Sequence, residues 1–172
     1  LMSITGEADG DPMKLGVAIV DIGTGMYALS SILAALQARH RTGKGQYVEV
    51  SLYDTGVSLL ANVAANFLAS GNPAGRYGNG HPNIVPYNAY PTRDGMIALS
   101  VGNDGQFRTF CEAVGKPEWA DDEKFARNRD RVENRGACDG MISDLFRTDD
   151  TANWIEKLLA AKVSCAPTNT VE

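Results

Sequence analysis

Asp21 is the residue best placed to do chemistry. It follows the apolar run Val17-Ala18-Ile19-Val20 and opens onto Gly23-Thr24-Gly25, a small-residue helix start. Aspartate is a favoured helix N-cap and its charge suits the positive end of the helix dipole, so local physics alone gives Asp21 a capping role. The same surroundings suit a nucleophile. A carboxylate that attacks an acyl thioester has to be ionised, partly shielded from water and close to donors that stabilise an oxyanion. Helix-terminal N–H groups supply such donors, and Gly23 and Gly25 leave room for a bulky thioester beside the backbone.

The second candidate is the loop Gly75-Arg76-Tyr77-Gly78-Asn79-Gly80-His81-Pro82. Its composition reads as a flexible connector. As a lid it would exclude water from a labile intermediate. His81 is the one histidine in a plausible site, and it reads equally as a substrate-binding imidazole or as a surface or core ring satisfied by its neighbours. Asp104 and Gln106 read as a capped helix start. Ala120-Asp121-Asp122-Glu123 lacks the alternating oxygen ligands and central glycine of a calcium loop and reads as a solvated turn. Cys111, Cys138 and Cys165 are odd in number and contain no Cys-x-x-Cys pair. With only His40 and His81 to assist, they point to reduced thiols rather than a zinc site or a cysteine nucleophile.

The elements that must position these residues follow from periodicity. Leu29, Leu33 and Leu36, widened by Tyr27, Ala28, Ile32 and Ala35, predict a largely buried helix over 24–39, ended by Arg39-His40-Arg41 and Gly43. Residues 46–51 alternate as a short strand, and 52–69 read as a second helix. Four glycines and three prolines from Gly71 to Pro86 make a long loop and lobe boundary. Arg93-Asp94-Gly95 between two β-rich runs predicts a hairpin. Helices follow over 105–114, 131–146 and 151–161, then an extended end at 163–167. Trp119, Phe125, Trp154 and Leu158 are expected in a core.

At 172 residues with a net charge of −5, the chain holds one ordinary domain or two small lobes of soluble, globular composition. The basic residues are scattered, which argues against nucleic acid as a partner. No apolar run reaches spanning length and the start has no basic signal flank, so no membrane partner is expected; the reduced thiols are read as pointing to a cytoplasmic compartment.

Further motifs run in one order along the chain: Leu1-Met2-Ser3-Ile4-Thr5-Gly6, Gly16-Val17-Ala18-Ile19-Val20-Asp21, Ala34-Ala35-Leu36, the Thr42-Gly45-Gln46 turn and Ser51-Leu52-Tyr53-Asp54. They continue through Gly78-Asn79-Gly80-His81, Val85-Pro86-Tyr87, Asp94-Gly95, Asn103-Asp104, Gln106-Phe107 and Ala166-Pro167-Thr168-Asn169. The set resembles the family III CoA-transferases, which include formyl-CoA, carnitine-CoA and succinyl-CoA-dependent dicarboxylate transferases and the related 2-methylacyl-CoA racemases. The resemblance places Asp21 at the family's catalytic aspartate. It implies that Asp21 takes an acyl group as a mixed anhydride, receives CoA as an aspartyl thioester and passes CoA to a second carboxylic acid. It also implies that Gly78, Asn79, Gly80 and His81 form the family's shielding loop, although Asn79 and His81 interrupt the denser glycine run of some members.

The fold implied is α/β: the end of a Rossmann-like large domain over 1–70, a glycine-rich linker over 71–86 and a small α+β domain over 87–172. The resemblance implies an internal fragment, truncated at both ends and inactive alone, with the CoA-binding residues upstream of Leu1. CoA is expected as a substrate and not as a resident cofactor; the partners are an acyl-CoA, a carboxylic acid and a second copy in a homodimer; no metal is expected. Two rivals stand beside this reading. In a racemase, Asp21 would shuttle an α-proton with a histidine upstream, but Asn103-Asp104-Gly105-Gln106 lacks the glutamate that the racemase branch places there. The other rival is a non-catalytic assembly or binding module.

Overall fold

A computed structural model describes residues 1–171. The chain forms two compact units, Leu1–Gly78 and Asn79–Glu172, whose boundary falls inside the glycine-rich stretch.

In the first unit a short 3₁₀ turn, Met2–Ile4, precedes helix α1, Ile19–Thr42. Gly43 ends α1 in the left-handed region at φ 69°, its N–H donating to Arg39 O at 2.8 Å, after a last turn rich in Arg39, His40 and Arg41. Helix α2, Leu52–Ser58, is capped by Ser51, whose hydroxyl accepts from the N–H groups of Tyr53 and Asp54. Helix α3 follows over Ala61–Ser70.

Several expectations for this unit are corrected. The helix predicted from Thr24 begins five residues earlier. It is not buried: Met26, Leu29, Ile32, Leu33 and Leu36 are all exposed, because α2 covers only part of its surface. At 24 residues α1 also meets the length and composition of a membrane span. The sequence reading missed this because Asp21 and the small residues around it interrupt any continuous apolar run, while the average over the helix stays high. A core helix satisfies the same test, so length and apolarity do not distinguish the two. Residues 46–51 form no strand, since no neighbouring strand is present among the described residues to pair with them. The single helix expected over 52–69 is two, broken at Leu59-Leu60, with Ala61 at φ 45°.

In the second unit strands β1, Tyr87–Pro91, and β2, Met96–Ser100, form the expected hairpin, with Ala89 opposite Ala98. Strand β3, Ser164–Pro167, adds antiparallel to β2, giving the order β1-β2-β3. Between β2 and β3 run α4, Asp104–Ala113, α5, Asn128–Glu133, α6, Arg135–Phe146, and α7, Thr151–Ala160. The predicted helix over 131–146 thus starts earlier and breaks at Asn134.

Strand alternation sends Tyr90, Ile97 and Leu99 into the core and leaves Ala98 on the open face. Phe146 lies at the centre, edge-on to Tyr90, Phe110 and Trp154 at centroid separations of 5.7, 6.2 and 5.2 Å. Phe125 and Leu158 are buried as expected, whereas Trp119 is only partly so. Burial raises the thiols of Cys111 and Cys138 to about 12, which keeps them protonated and inert. Asp94 ties the hairpin turn to α7: its carboxylate accepts from the N–H and hydroxyl of Thr151, both at 2.8 Å.

The least expected core residue is Arg131, fully buried. Its Nε donates to Val85 O and its Nη1 to Phe125 O, both at 2.6 Å, and its Nη2 donates to Asp104 at 2.8 Å. Its guanidinium lies 4.3 Å from the Phe107 ring centroid. Removing it leaves two carbonyls without their donor in a dry interior, at about 1–3 kcal/mol each. Arg131→Ala is therefore expected to destabilise the second unit by about 3 kcal/mol or more. Urea denaturation checks this, and a change below about 0.5 kcal/mol contradicts the packing account.

Candidate active site

Asp21 is the third residue of α1. The first i→i−4 bond of the helix runs from Ile22 N–H to Ala18 O at 3.1 Å, so Asp21 lies inside the first turn. Ala18 occupies the cap and makes no side-chain capping bond. The capping reading of Asp21 is thereby corrected. Helix geometry leaves the first amides without intrahelical acceptors, and a carboxylate in the first turn complements them.

Two glycines hold this turn in place. A Cβ on Gly23 would lie 3.2 Å from Thr55 Cγ2 and 3.5 Å from Leu59 Cδ1, so Gly23 permits the close crossing of α1 and α2. Gly56 faces back toward α1, where its Cβ would lie 3.8 Å from Val20 Cγ2. Thr55 is buried at the crossing. Gly23 therefore serves helix packing and not substrate access, contrary to the sequence reading; Gly25 has nothing within 4 Å of a Cβ and does leave open space.

Asp21 itself is exposed, on a cleft of about 400 Å³ whose other walls include Leu1, Met2, Lys14, Leu15 and Val17–Val20. Lys14 is the cationic side chain of that lining. The arrangement offers an accessible carboxylate at a helix N-terminus, an apolar wall and one cation, which suits an acyl group and an anionic partner. The shielding that a nucleophilic carboxylate needs is not supplied by the first unit's own side chains.

The shielding-loop residues divide between the units: Gly78 ends the first, and Asn79, Gly80 and His81 open the second. Gly78, at φ 58°, donates its N–H to Gly6 O at 3.0 Å; just upstream, Arg76 donates to Glu7 O and Gly10 O. The positive φ selects glycine at this position, where a Cβ would meet only the movable end of the Glu7 side chain, Oε2 at 3.0 Å.

His81 is built into the second unit. Its N–H donates to Tyr87 O at 2.9 Å, and its ring stacks on Tyr87 with centroids 5.3 Å apart and planes 16° from parallel. Its Nδ1 accepts from Asn83 N–H at 3.1 Å, which leaves the proton of the neutral ring on Nε2. Burial, and then the nearby Arg135 guanidinium, lowers its pKa below the ordinary 6.5. Asn79 and Tyr87 line a cleft of about 450 Å³ on the open face of the sheet, with Ser100, Ser164 and Ala166.

Sequence reasoning placed Asp104 and Gln106 in a capped helix start, and α4 does begin there with Asn103 as its cap. Asn103 accepts from Gln106 N–H, while Asp104 holds Arg131 and Asn128. Sequence reasoning missed Asn128, Arg131 and Arg135, which grip the residues after His81. One signal was present: Arg131 lies on the same helical stripe as Cys138, Ile142 and Phe146, a core spacing that a solvated arginine does not need. Among the described residues no group of three His, Cys, Asp or Glu side chains is placed to hold a metal.

The model of CoA-transferase family III matches residues 1–172. The chain is 46% identical to a succinate–glutarate CoA-transferase of Agrobacterium fabrum over 99% of its length, and 38% identical to the human succinyl-CoA:glutarate CoA-transferase over all of it. It spans 43% and 39% of those two relatives. A crystal structure of a CAIB/BAIF family protein from Brucella suis superposes with a TM-score of 0.75 at 42% identity, over 99% of this chain and 45% of that one. The chain belongs to the family III CoA-transferases.

The His81 environment makes a direct prediction. Its ring should titrate below 6.5 by proton NMR, with the Nε2-protonated tautomer above that pH. A neutral ring is favoured by the fold, so this group's contribution is present at and above pH 6.5 and is lost as the pH falls through the lowered folded value. A titration midpoint at or above 6.5 contradicts the described environment.

Proposed function

We propose that this chain carries the nucleophile of a CoA-transferase that moves CoA from a dicarboxylyl-CoA donor to a small dicarboxylic acid. The observation that supports it is Asp21, in the first turn of α1 on an open cleft, within a chain that matches the transferase family along its whole length. The dicarboxylate class is taken from the names of the relatives above.

The reaction proceeds in four displacements. Asp21 attacks the donor thioester carbonyl, the C–S bond breaks, and a mixed anhydride and CoA thiolate result. The thiolate attacks the aspartyl carbonyl and releases the donor acid with one Asp21 oxygen. The acceptor carboxylate then attacks the aspartyl thioester, giving a second anhydride and free thiolate. Finally the thiolate attacks the acceptor's carbonyl, forming the new acyl-CoA and restoring Asp21 with one oxygen from the acceptor. Helix-terminal donors lower the cost of each oxyanion, and the Gly78–His81 loop keeps water from the anhydrides and thioester. The acting form is a homodimer of the complete enzyme, consistent with the exposed apolar face of α1; residues 1–172 are inactive alone.

Asp21→Ala in the complete enzyme is expected to lower CoA transfer by at least about a thousandfold. Its melting should change little, because the side chain is exposed. A coupled assay of acyl-CoA formation decides it: a folded variant with near-parental transfer overturns the assignment, and α-proton exchange with deuterated solvent in the absence of transfer would point to racemase chemistry.

A further inference from the structure

Asn79 is followed by Gly80, and no other asparagine of the chain precedes a glycine. Elsewhere the next residue is bulkier, as in Asn83-Ile84, Asn88-Ala89 and Asn128-Arg129, or, at Asn72-Pro73, has no N–H at all. The distinction matters chemically. The side-chain carbonyl carbon of an asparagine can close a five-membered ring with the backbone nitrogen of the next residue, and a glycine there has no Cβ to crowd the approach.

Local structure leaves this pair free to react. Asn79 is exposed, in a turn at the start of the second unit. Among the described residues neither its side-chain amide nor the N–H of Gly80 has a hydrogen-bond partner, whereas the N–H of the next residue, His81, is tied to Tyr87 O. Three other asparagines are engaged. Asn103 caps α4 by accepting from Gln106 N–H at 2.9 Å, Asn128 accepts from Val85 N–H at 3.2 Å, and Asn134 Nδ2 donates to Asp130 O at 2.9 Å. Each of these side chains has to leave its partner before it can turn back onto its own backbone.

We propose that Asn79 is a site of non-enzymatic modification, at which the backbone nitrogen of Gly80 converts the side chain through a succinimide to aspartate and isoaspartate. The Gly80 nitrogen gives up its proton to solvent and bonds to Asn79 Cγ. The Cγ–Nδ2 bond breaks, and the departing nitrogen takes a proton from solvent and leaves as ammonia. Water then adds to one of the two imide carbonyls; opening on one side gives aspartate, and on the other isoaspartate, in which the main chain runs through the side-chain carbon. Water is the only co-reactant.

This inference is independent of the shielding role proposed for the loop. Its consequence lies in the second unit itself. Asn79 forms part of the cleft of about 450 Å³ on the open face of the sheet, and the described residues that line this cleft, Tyr87, Ser100 and Ser164 among them, are all uncharged. Modification sets a carboxylate among them, which disfavours an anion in the cleft. The isoaspartyl form also lengthens the backbone between Gly78 and His81.

The test holds the complete enzyme at mildly alkaline pH, once well below its melting temperature and once unfolded in urea. Peptide mapping by mass spectrometry then follows loss of the amide at every asparagine and separates aspartyl from isoaspartyl products. Asn79 should be modified first, and its rate in the folded enzyme should lie within about threefold of its rate in the unfolded chain, because no bond has to open. Folding should slow Asn103, Asn128 and Asn134 by at least about tenfold. Gly80→Ala should slow Asn79 by at least about tenfold in the unfolded chain, a comparison that does not require the variant to fold. Protection of Asn79 by folding as strong as that of Asn103, or earlier modification of another asparagine, overturns the proposal. A product that is aspartate without isoaspartate overturns the succinimide route and the proposal with it.

Discussion

The second unit depends on one buried charge. Arg131 enters the core with no exposed surface and is tolerated because each face of its guanidinium has a partner: two carbonyls, the Asp104 carboxylate and the Phe107 ring. Burying an ion without such partners costs several kcal/mol, so the surrounding chain has to be in place for the arginine to be there at all. That requirement couples distant segments. Val85 belongs to the segment before the hairpin, Phe125 to the turn before α5, and Asp104 to the first turn of α4. One side chain joins all three, and the residues after His81 inherit a fixed position from it.

The first unit works by the opposite device. Its organising contact is an absence of side chain, Gly23 against Thr55 and Gly56 against Val20, which lets α1 and α2 cross closely and carries Asp21 on the resulting rigid turn. Beyond that crossing α1 leaves Met26, Leu29, Ile32, Leu33 and Leu36 exposed. A helix that is apolar over most of its circumference is built to be covered.

What could be read before the fold was known follows from where the information is local. The hairpin was legible because Arg93-Asp94-Gly95 is a turn signal between two β-rich runs, and α4 and α7 because their apolar spacing is regular. The start of α1 was misplaced because Asp21 reads as a cap, whereas the helix begins from Ala18, which makes no side-chain capping bond. The strand expected at 46–51 failed because alternation marks a surface that needs a neighbour, and no neighbouring strand is supplied. Asp21 was singled out as a candidate through its place between an apolar run and glycines, and through a family pattern; its exposure and the packing role of Gly23 needed coordinates. Arg131, Arg135 and Asn128 were missed because a charged side chain looks the same in sequence whether it faces water or spans a core. Only the stripe from Arg131 to Phe146 hinted otherwise.

The central claim is that Asp21 is covalently exchanged during transfer. In the four displacements above, the oxygen that bridges the second anhydride passes from the acceptor acid to the aspartate. The most direct measurement supplies the complete enzyme with acyl-CoA and an acceptor acid labelled in its carboxylate oxygens with heavy oxygen, allows turnover, and weighs the peptide containing Asp21 after digestion. The account predicts heavy oxygen in that carboxylate, absent when the acceptor or the acyl-CoA is omitted. Turnover that leaves the Asp21 peptide unlabelled would contradict it.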